Sequence, residues 1–436
     1  MKKVLISILI VSAFFYSCKK TDKSVFDKSP DERLTETLAA YETQLSGAQN
    51  GWKAVIKVDS GKGAAYSFYF KFNDANRVVM LSDFDSLSAV TPKESSYRLK
   101  ALQQPSLIFD TYSYLHVLSD PDPAVNGQNV GSGLLGDFEF YFDSVSTDSI
   151  KLIGRIHGSK LTLVRASQAE EVLFNSGGLA SGLGINKILT YFKRLTVGAQ
   201  SYDIQINPRT RQVIFTWLDG SGAVQTFTTG YYFTADGIGF TDPLVNGSQI
   251  ISGLSGISWN QGTETINLTA DATAGTITGI VTPLKVDVDA PQRWWQYAVS
   301  NANGYWISAN GFHVNGVDDA YNINSLTSGT DTYYYLIYWP AYGNGYDFFG
   351  PVFLDAAQTG LSIYYGSAPS TPQFTSDGRA VFHELGTFGT NPTSGPAALT
   401  HDQLYIPSGY YFVQTSATTY DMVSAADGKA WITWEF

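Results

Sequence analysis

A mainly β fold, with antiparallel meander sheets in two or three units that each follow a short α-helix, is the architecture this sequence predicts. Three observations carry that expectation. The 436 residues are 14% aromatic and include 41 glycines, a composition that favours strands joined by tight turns. Period-two alternation recurs from Trp52 to the C-terminus. Helical spacing is confined to three short stretches, each followed by a run of strands.

The chain opens with Lys2 and Lys3, then an apolar run from Val4 to Tyr16. That run is shorter than the roughly 20 residues of a membrane-spanning helix and matches the core of a signal peptide, with small Ser17 at the cleavage point. Cys18, the only cysteine, comes next and is expected to receive lipid; no disulfide can form within one chain. Residues 1–17 therefore read as a signal peptide and 18–28 as a lipidated, polar tether. Phe15-Tyr16-Ser17-Cys18 departs from the usual Leu-Ala/Ser-Gly/Ala-Cys pattern. Lys19 in place of Asp after the cysteine resembles lipoproteins of the outer membrane. Without residues 1–17, 26 basic face 39 acidic residues, a formal charge of −13 that sets nucleic acid and anionic lipid aside as partners.

Ser29-Pro30-Asp31-Glu32 is a capping box, and Leu34, Leu38, Tyr41 and Leu45 line one helical face before Gly47 and Asn50-Gly51 end it. Alternation from Trp52 then predicts strands at 66–72, 78–82, 97–101, 106–110, 138–142, 149–156 and 160–164, making residues 29–166 a first unit. Residues 185–195 have the spacing of a second helix, ended by Gly198. Strands at 202–206, 213–217, 224–228, 230–233, 257–260 and 265–268 complete a unit over 167–288. A third helix is expected at Pro291–Val299, followed in 289–436 by strands at 305–308, 333–339, 350–354, 362–365 and 430–436. Phe233-Thr234-Ala235-Asp236-Gly237 is echoed by Phe374-Thr375-Ser376-Asp377-Gly378. Three units are proposed on this pattern; two domains or one elongated sheet are the alternatives.

Several residue groups in the first unit resemble a family of outer-membrane lipoproteins of Bacteroidetes. They are Glu32-Arg33-Leu34 with Leu38 and Tyr41, Asn50-Gly51-Trp52-Lys53, Phe70-Lys71-Phe72-Asn73-Asp74, Ser95-Ser96-Tyr97-Arg98-Leu99-Lys100, Phe109-Asp110-Thr111-Tyr112 and Gly136-Asp137-Phe138-Glu139-Phe140. The likeness spans residues 18 to about 165 and is one of style beyond. Members are often encoded beside SusC/SusD-type uptake pairs and a zinc metallohydrolase lipoprotein. The resemblance implies a role in nutrient capture, with uptake proteins of that type as partners, and supplies no catalytic residues.

Motifs that carry chemistry elsewhere fail here on context. Gly131-Ser132-Gly133-Leu134-Leu135-Gly136 has the letters of a dinucleotide loop but precedes a strand, where that chemistry needs a helix. His383-Glu384 lacks the second histidine of a zinc peptidase, and the five histidines show no ligand spacing. Asp83, Asp85 and Glu94 sit at calcium-loop spacing, yet Ser88 replaces the turn glycine and Pro92 intrudes, so a solvated acidic loop is expected. Asp137, Glu139, Tyr141 and Asp143 share one strand face, and paired carboxylates there would suit a hydrolase; a polar face over an aromatic core explains the same residues without any reaction and is the favoured reading. Neither metal nor cofactor is expected.

The strongest functional signal is aromatic asymmetry. Six of nine tryptophans and fifteen of 27 tyrosines follow residue 290. Tyr333-Tyr334-Tyr335-Leu336-Ile337-Tyr338-Trp339 carries large side chains on both faces of one strand, and the loop after it adds Tyr342 and Tyr346. Tyr333, Tyr335, Trp339, Tyr342 and Tyr346 are the candidate ligand-binding residues, since exposed aromatics offer stiff contact surface to sugar rings or peptides. The expected protein is a non-enzymatic envelope lipoprotein, anchored through Cys18, that assists capture or uptake of a glycan or peptide. A carboxylate-dependent hydrolase and a structural subunit of an uptake complex are the alternatives.

Overall fold

The computed structural model describes residues 28–58, 64–127, 130–182, 184–207, 210–301 and 304–436; the signal peptide, Cys18 and most of the tether lie outside them. The fold is mainly β and antiparallel throughout. The first helix, Pro30–Ser46, starts as its sequence dictates. Ser29 Oγ accepts from the Glu32 amide (3.2 Å) and the Glu32 carboxylate accepts from the Ser29 amide (2.8 Å). Its buried Leu45 joins the adjacent core, Tyr41 stacks on Phe142 at 4.2 Å, and the Leu45 carbonyl receives the indole N–H of Trp52 (2.9 Å).

Trp52 opens an eight-stranded closed barrel: β1 (Trp52–Lys57), β2 (Ala65–Asn73), β3 (Arg77–Ser82), β4 (Lys93–Ala101), β5 (Pro105–Phe109), β6 (Glu139–Val145), β7 (Ser149–Gly154) and β8 (Lys160–Arg165). Each strand pairs with its neighbour in sequence, and β8 returns to β1. Eight strands leave an interior just wide enough for side chains, and Trp52, Phe68, Phe70, Phe109, Phe140 and Leu163 fill it. Outward positions on β1 carry Lys53, Val55 and Lys57. An apolar inside and a largely polar outside reverse the pattern of a membrane-spanning barrel. No helix among the described residues is long and apolar enough to cross a membrane.

A second capping box, Ser167 with Glu170, starts the helix Gln168–Asn175. This helix lies on the outer wall of the first barrel, where Phe174 stacks on Tyr69 (5.0 Å), Glu170 pairs with Lys53 and Glu171 with Lys71 (both 2.6 Å).

A second closed barrel then repeats the meander with β9 (Phe192–Val197), β10 (Gln200–Asn207), β11 (Gln212–Leu218), β12 (Val224–Phe233), β13 (Ile238–Asn246), β14 (Gln249–Asn260), β15 (Thr265–Ala270) and β16 (Thr273–Ile280). The helix expected at 185–195 is not formed. One 3-10 turn occupies Ile185–Lys187, and Phe192–Val197 is instead the strand that closes the barrel between β10 and β16. Helical spacing over eleven residues is outweighed there by two ladders of backbone hydrogen bonds.

The junction of the two barrels centres on a buried ion pair. Arg211 Nη1 donates to Asp83 Oδ2 (2.8 Å) and to the Ala65 carbonyl (3.2 Å), while Nη2 donates to the Asp83 carbonyl. Asp83 also accepts from the amides of Ser67 in the first barrel and Phe233 in the second, each at 2.9 Å. The guanidinium lies 4.1 Å from the centre of the Tyr66 ring. The Asp83 side chain is 0% and that of Arg211 9% exposed. Asp83 is thus not part of a solvated acidic loop; it is the joint between barrels.

The helix Ala290–Ser300 forms as expected and plants Trp294 in the third core, its carbonyl receiving the Trp306 indole N–H (3.0 Å). The third sheet comprises β17 (Trp306–Ser308), β18 (His313–Val314), β19 (Thr327–Ser328), β20 (Asp331–Gly343), β21 (Tyr346–Leu354), β22 (Leu361–Ser362), β23 (Gly366–Pro369), β24 (Gln373–Phe374), β25 (Arg379–Val381), β26 (Glu384–Phe388), β27 (Tyr410–Ser416), β28 (Thr419–Ser424) and β29 (Ala430–Glu435). Its path runs from β24 through β25, β27, β28, β29, β17, β20, β21 and β23 to β26. β23–β24 and β25–β26 are halves of one bent hairpin, whose register continues from Phe374 opposite Ala380 to Gly366 opposite Phe388. The path therefore curls back on itself around Trp294, Trp306, Tyr338, Phe412 and Trp434. The two echoed motifs occupy matching turns, between β12 and β13 and between β24 and β25. The C-terminal alternation belongs to β29, which pairs with β28, β17 and β18.

Truncating Arg211→Ala leaves Asp83 charged and buried. It is expected to destabilise the protein by about 3–5 kcal/mol in chemical denaturation. Asp83→Asn combined with Arg211→Met should cost less, because no unpaired charge remains.

Candidate functional site

The aromatic residues of the third unit divide between two faces of one strand. Leu336 and Tyr338 of β20 point into the core, whereas Tyr335, Ile337 and Trp339 build a second apolar cluster on the opposite face with Tyr305, Tyr342 and Phe348. A register shift between Tyr333 and Tyr335 sends Tyr333 the other way. Its ring packs on the inner core and its hydroxyl donates to the Ser308 carbonyl (3.3 Å). Tyr333 is therefore separated from the other four candidates.

Of those four, Trp339, Tyr342 and Tyr346 lie along a continuous series of ring contacts. Trp339 meets Tyr342 at 5.2 Å between centroids, and Tyr342 meets Tyr346 at 6.2 Å and Phe348 at 5.3 Å. Phe388 closes the series at 5.8 Å from Phe348. Tyr335 belongs to the same cluster and touches Tyr334 at 4.9 Å. A groove of about 280 Å³ opens between the β20–β21 hairpin and β26, lined by Tyr342, Tyr346, Phe348, Leu385, Thr387 and Phe388. Tyr346 is 37%, Phe388 43% and Leu385 64% exposed, so its walls are open to solvent.

One buried carboxylate shapes the hairpin. Asp347 accepts from the Ala341 amide (2.7 Å), the Tyr338 hydroxyl (2.7 Å) and the Trp295 indole (2.8 Å). The first bond holds Ala341 at φ +52°, an uncommon conformation for a residue with a Cβ, and so fixes the bulge in β20, between Trp339 and Gly343, that presents Tyr342. Gly343 is required beside it, since a Cβ there would approach the Tyr346 ring to 2.2 Å.

β26 supplies the polar half of the site. It pairs with β23 on one side and with no strand on the other among the described residues. Four of its five residues are exposed, and a Cβ built on Gly386 would meet nothing within 4 Å. Its free edge therefore presents unpaired backbone amides and carbonyls beside the aromatic groove. Leu385 and Phe388 were not among the expected site residues. The incomplete zinc motif that begins at His383 runs into strand at Glu384–Thr387, not helix.

The other motifs resolve into structural roles. The Asp137 carboxylate is buried and accepts from the amides of Ile156, His157 and Ser159 and the Ser159 hydroxyl, all within 3.1 Å. It caps the turn after β7 and does not share an exposed face with Glu139. The Gly131–Gly136 segment is a turn leading into β6. His116 stacks on Phe138, His313 on Trp431, and His401 pairs with Glu384. Among the described residues no three His, Cys, Asp or Glu side chains are placed to hold a metal ion.

Asp347→Asn must point an amide N–H₂ at a donor, and a loss of about 1–3 kcal/mol is expected in thermal or denaturant unfolding. Burial lifts the Asp347 carboxyl above its ordinary 3.8. Between that value and the raised one, the unfolded chain has lost a proton the folded chain retains. Stability contributed by this group therefore falls as pH rises through the window, and the Asn variant should lack that slope.

Comparison with known proteins adds a family and little else. No curated protein matches the chain. Among solved structures, the DNA polymerase III subunit beta (DnaN) sliding clamp of Bartonella birtlesii aligns at 10% identity over 91% of this chain and 97% of that one, with a TM-score of 0.16. The same clamp bound to griselimycin aligns at 8% identity over 92% and 97%, with a TM-score of 0.15. Likeness at that level carries no argument. A family model described as a domain of unknown function, DUF4302, matches residues 22–261, which take in the first barrel and the second as far as the end of β14. With over half its length matched, the chain belongs to the DUF4302 family.

Proposed function

We propose that this protein is a non-enzymatic, lipid-anchored component of the bacterial cell envelope that captures an extended peptide and assists its uptake at the outer membrane. The observation that carries this reading is the free edge of β26 beside the Tyr342–Tyr346–Phe388 groove. An unpaired strand edge offers backbone hydrogen bonds to a chain laid alongside it, and adjoining pockets select alternate side chains. A sugar would use the rings and leave the edge unmatched, so the edge favours a peptide over a glycan.

Charge narrows the ligand further. Residues 290–436 hold eleven acidic and three basic side chains. All three cations are engaged: Arg293 with Asp287, Arg379 with Asp377, and Lys429 with Glu264. None lines the groove. A peptide bearing Lys or Arg between apolar residues complements this surface. The hydrolase alternative loses support because Asp137 is committed to a turn. The lipid anchor rests on Cys18 behind its apolar leader, and SusC/SusD-type proteins are the partners that the family resemblance implies.

Titration of tryptophan fluorescence with basic extended peptides and with neutral oligosaccharides tests the site. Saturable quenching by peptides, lost in Trp339→Ala and weakened at least tenfold in Tyr346→Ala, is expected. Quenching by oligosaccharides alone would replace peptide with glycan, and no response to either would remove the binding reading. Cys18→Ser should abolish labelling by radioactive palmitate and move the protein from membranes to the soluble fraction; unchanged labelling would refute the anchor.

A further inference from the structure

A cavity that shares no lining residue with the aromatic groove lies in the cleft between the two barrels. It measures about 880 Å³, within the range of small-molecule sites. One wall is the outer face of β1, β8 and β7, and the other is formed by the end of β12, the turn after it, β13 and the middle of β14. The Asp83–Arg211 pair and the packing of Phe174 and Ala235 in one apolar cluster hold the walls in place. A Cβ on Gly178 would come within 2.2 Å of the Ala235 carbonyl, a measure of how closely the segments beneath are packed.

The first wall has an arrangement its own fold does not explain. Lys57 and Lys160 stand directly opposite each other across β1 and β8, where like charges repel at about 5 Å between Cβ atoms. Lys151 lies diagonal to Lys160 on β7. The Lys57 ammonium donates to the Thr241 carbonyl (2.8 Å). Neither Lys151 nor Lys160 has a hydrogen-bond or ion-pair partner among the described residues. None of the four carboxylates that line the same cavity is ion-paired with these three lysines: Glu170 is taken by Lys53, Asp271 accepts from the Ser252 amide and Asp236 from the Thr234 hydroxyl, and Asp143 forms no ion pair among the described residues. Among these lysines, Val55, Ile153 and Val164 make a half-buried apolar floor, with Phe233 on the facing wall.

We infer that this cleft is a second binding site, for an organic anion with an apolar body. A carboxylate or phosphate-ester head sits between Lys57, Lys151 and Lys160 and relieves their mutual repulsion. The apolar body lies on Val55, Ile153, Val164 and Phe233. This site is independent of peptide capture on β26.

Isothermal titration calorimetry of the purified protein with decanoate, decyl phosphate and neutral decyl glucoside, all below micelle formation, tests the inference. Saturable binding of either anion is expected, with the stronger of the two naming the head group. The Lys151→Gln/Lys160→Gln double variant, altered only at exposed positions, should bind at least tenfold more weakly with unchanged thermal unfolding. Trp339→Ala should bind as the unaltered protein does, which separates this site from the aromatic groove. Equal binding of decyl glucoside, equal binding by the double variant, or no binding of either anion would overturn the proposal.

Discussion

A single carboxylate, Asp83, sets the geometry on which the first two-thirds of the molecule depends. It orders its own barrel through the Ser67 amide and reaches the next through Arg211 and the Phe233 amide. Taking two ions out of water is costly, and such a pair is retained only where further hydrogen bonds satisfy both partners. Here the guanidinium also bonds three carbonyls, of Ala65, Asp83 and Phe84, and lies over Tyr66. The pair joins the two barrels together with the apolar cluster of Tyr69, Leu81, Phe174, Leu179 and Ala235, and the inter-barrel cleft lies beside that junction.

A second buried carboxylate does comparable work in the third unit at shorter range. Asp347 draws together a helix, through Trp295, and both arms of the β20–β21 hairpin. Its neighbours are all donors, so it stiffens the bulge in β20 that precedes the two-residue turn Asn344–Gly345. The result is a rigid aromatic ridge beside a strand edge. Rigid rings lose little entropy on contact, which suits a recognition surface better than flexible side chains do.

Local signals were legible in the sequence and long-range ones were not. Both the Ser29–Glu32 capping box and the Pro291–Val299 helix depend on residues within a turn or two, and both formed as read. Most strands were visible because barrel walls force strict alternation. Residues 185–195 misled because apolar spacing fits a helix and a bent entry to a strand about equally, and only the partners β10 and β16 decide between them. Asp83 looked solvated because its partner lies 128 residues away. Four of the five aromatic candidates fell together because they share a hairpin. A one-residue register shift removed Tyr333, and nothing local announces such a shift. The edge strand β26 is hard to see in the sequence because five residues, with Gly386 among them and Gly389 just after, carry little periodicity.

The family match ends at residue 261, so the aromatic unit lies beyond the shared part of the chain. The peptide capture proposed above would accordingly belong to this third unit and not to the part of the chain that the family model matches. Hydrogen–deuterium exchange across Glu384–Gly389, with and without a saturating basic extended peptide, reads the proposed pairing directly. Slowed exchange of the outward-facing amides of this strand, with little change in either barrel, is the expected result. Unchanged exchange there while the peptide is bound would contradict capture on the β26 edge.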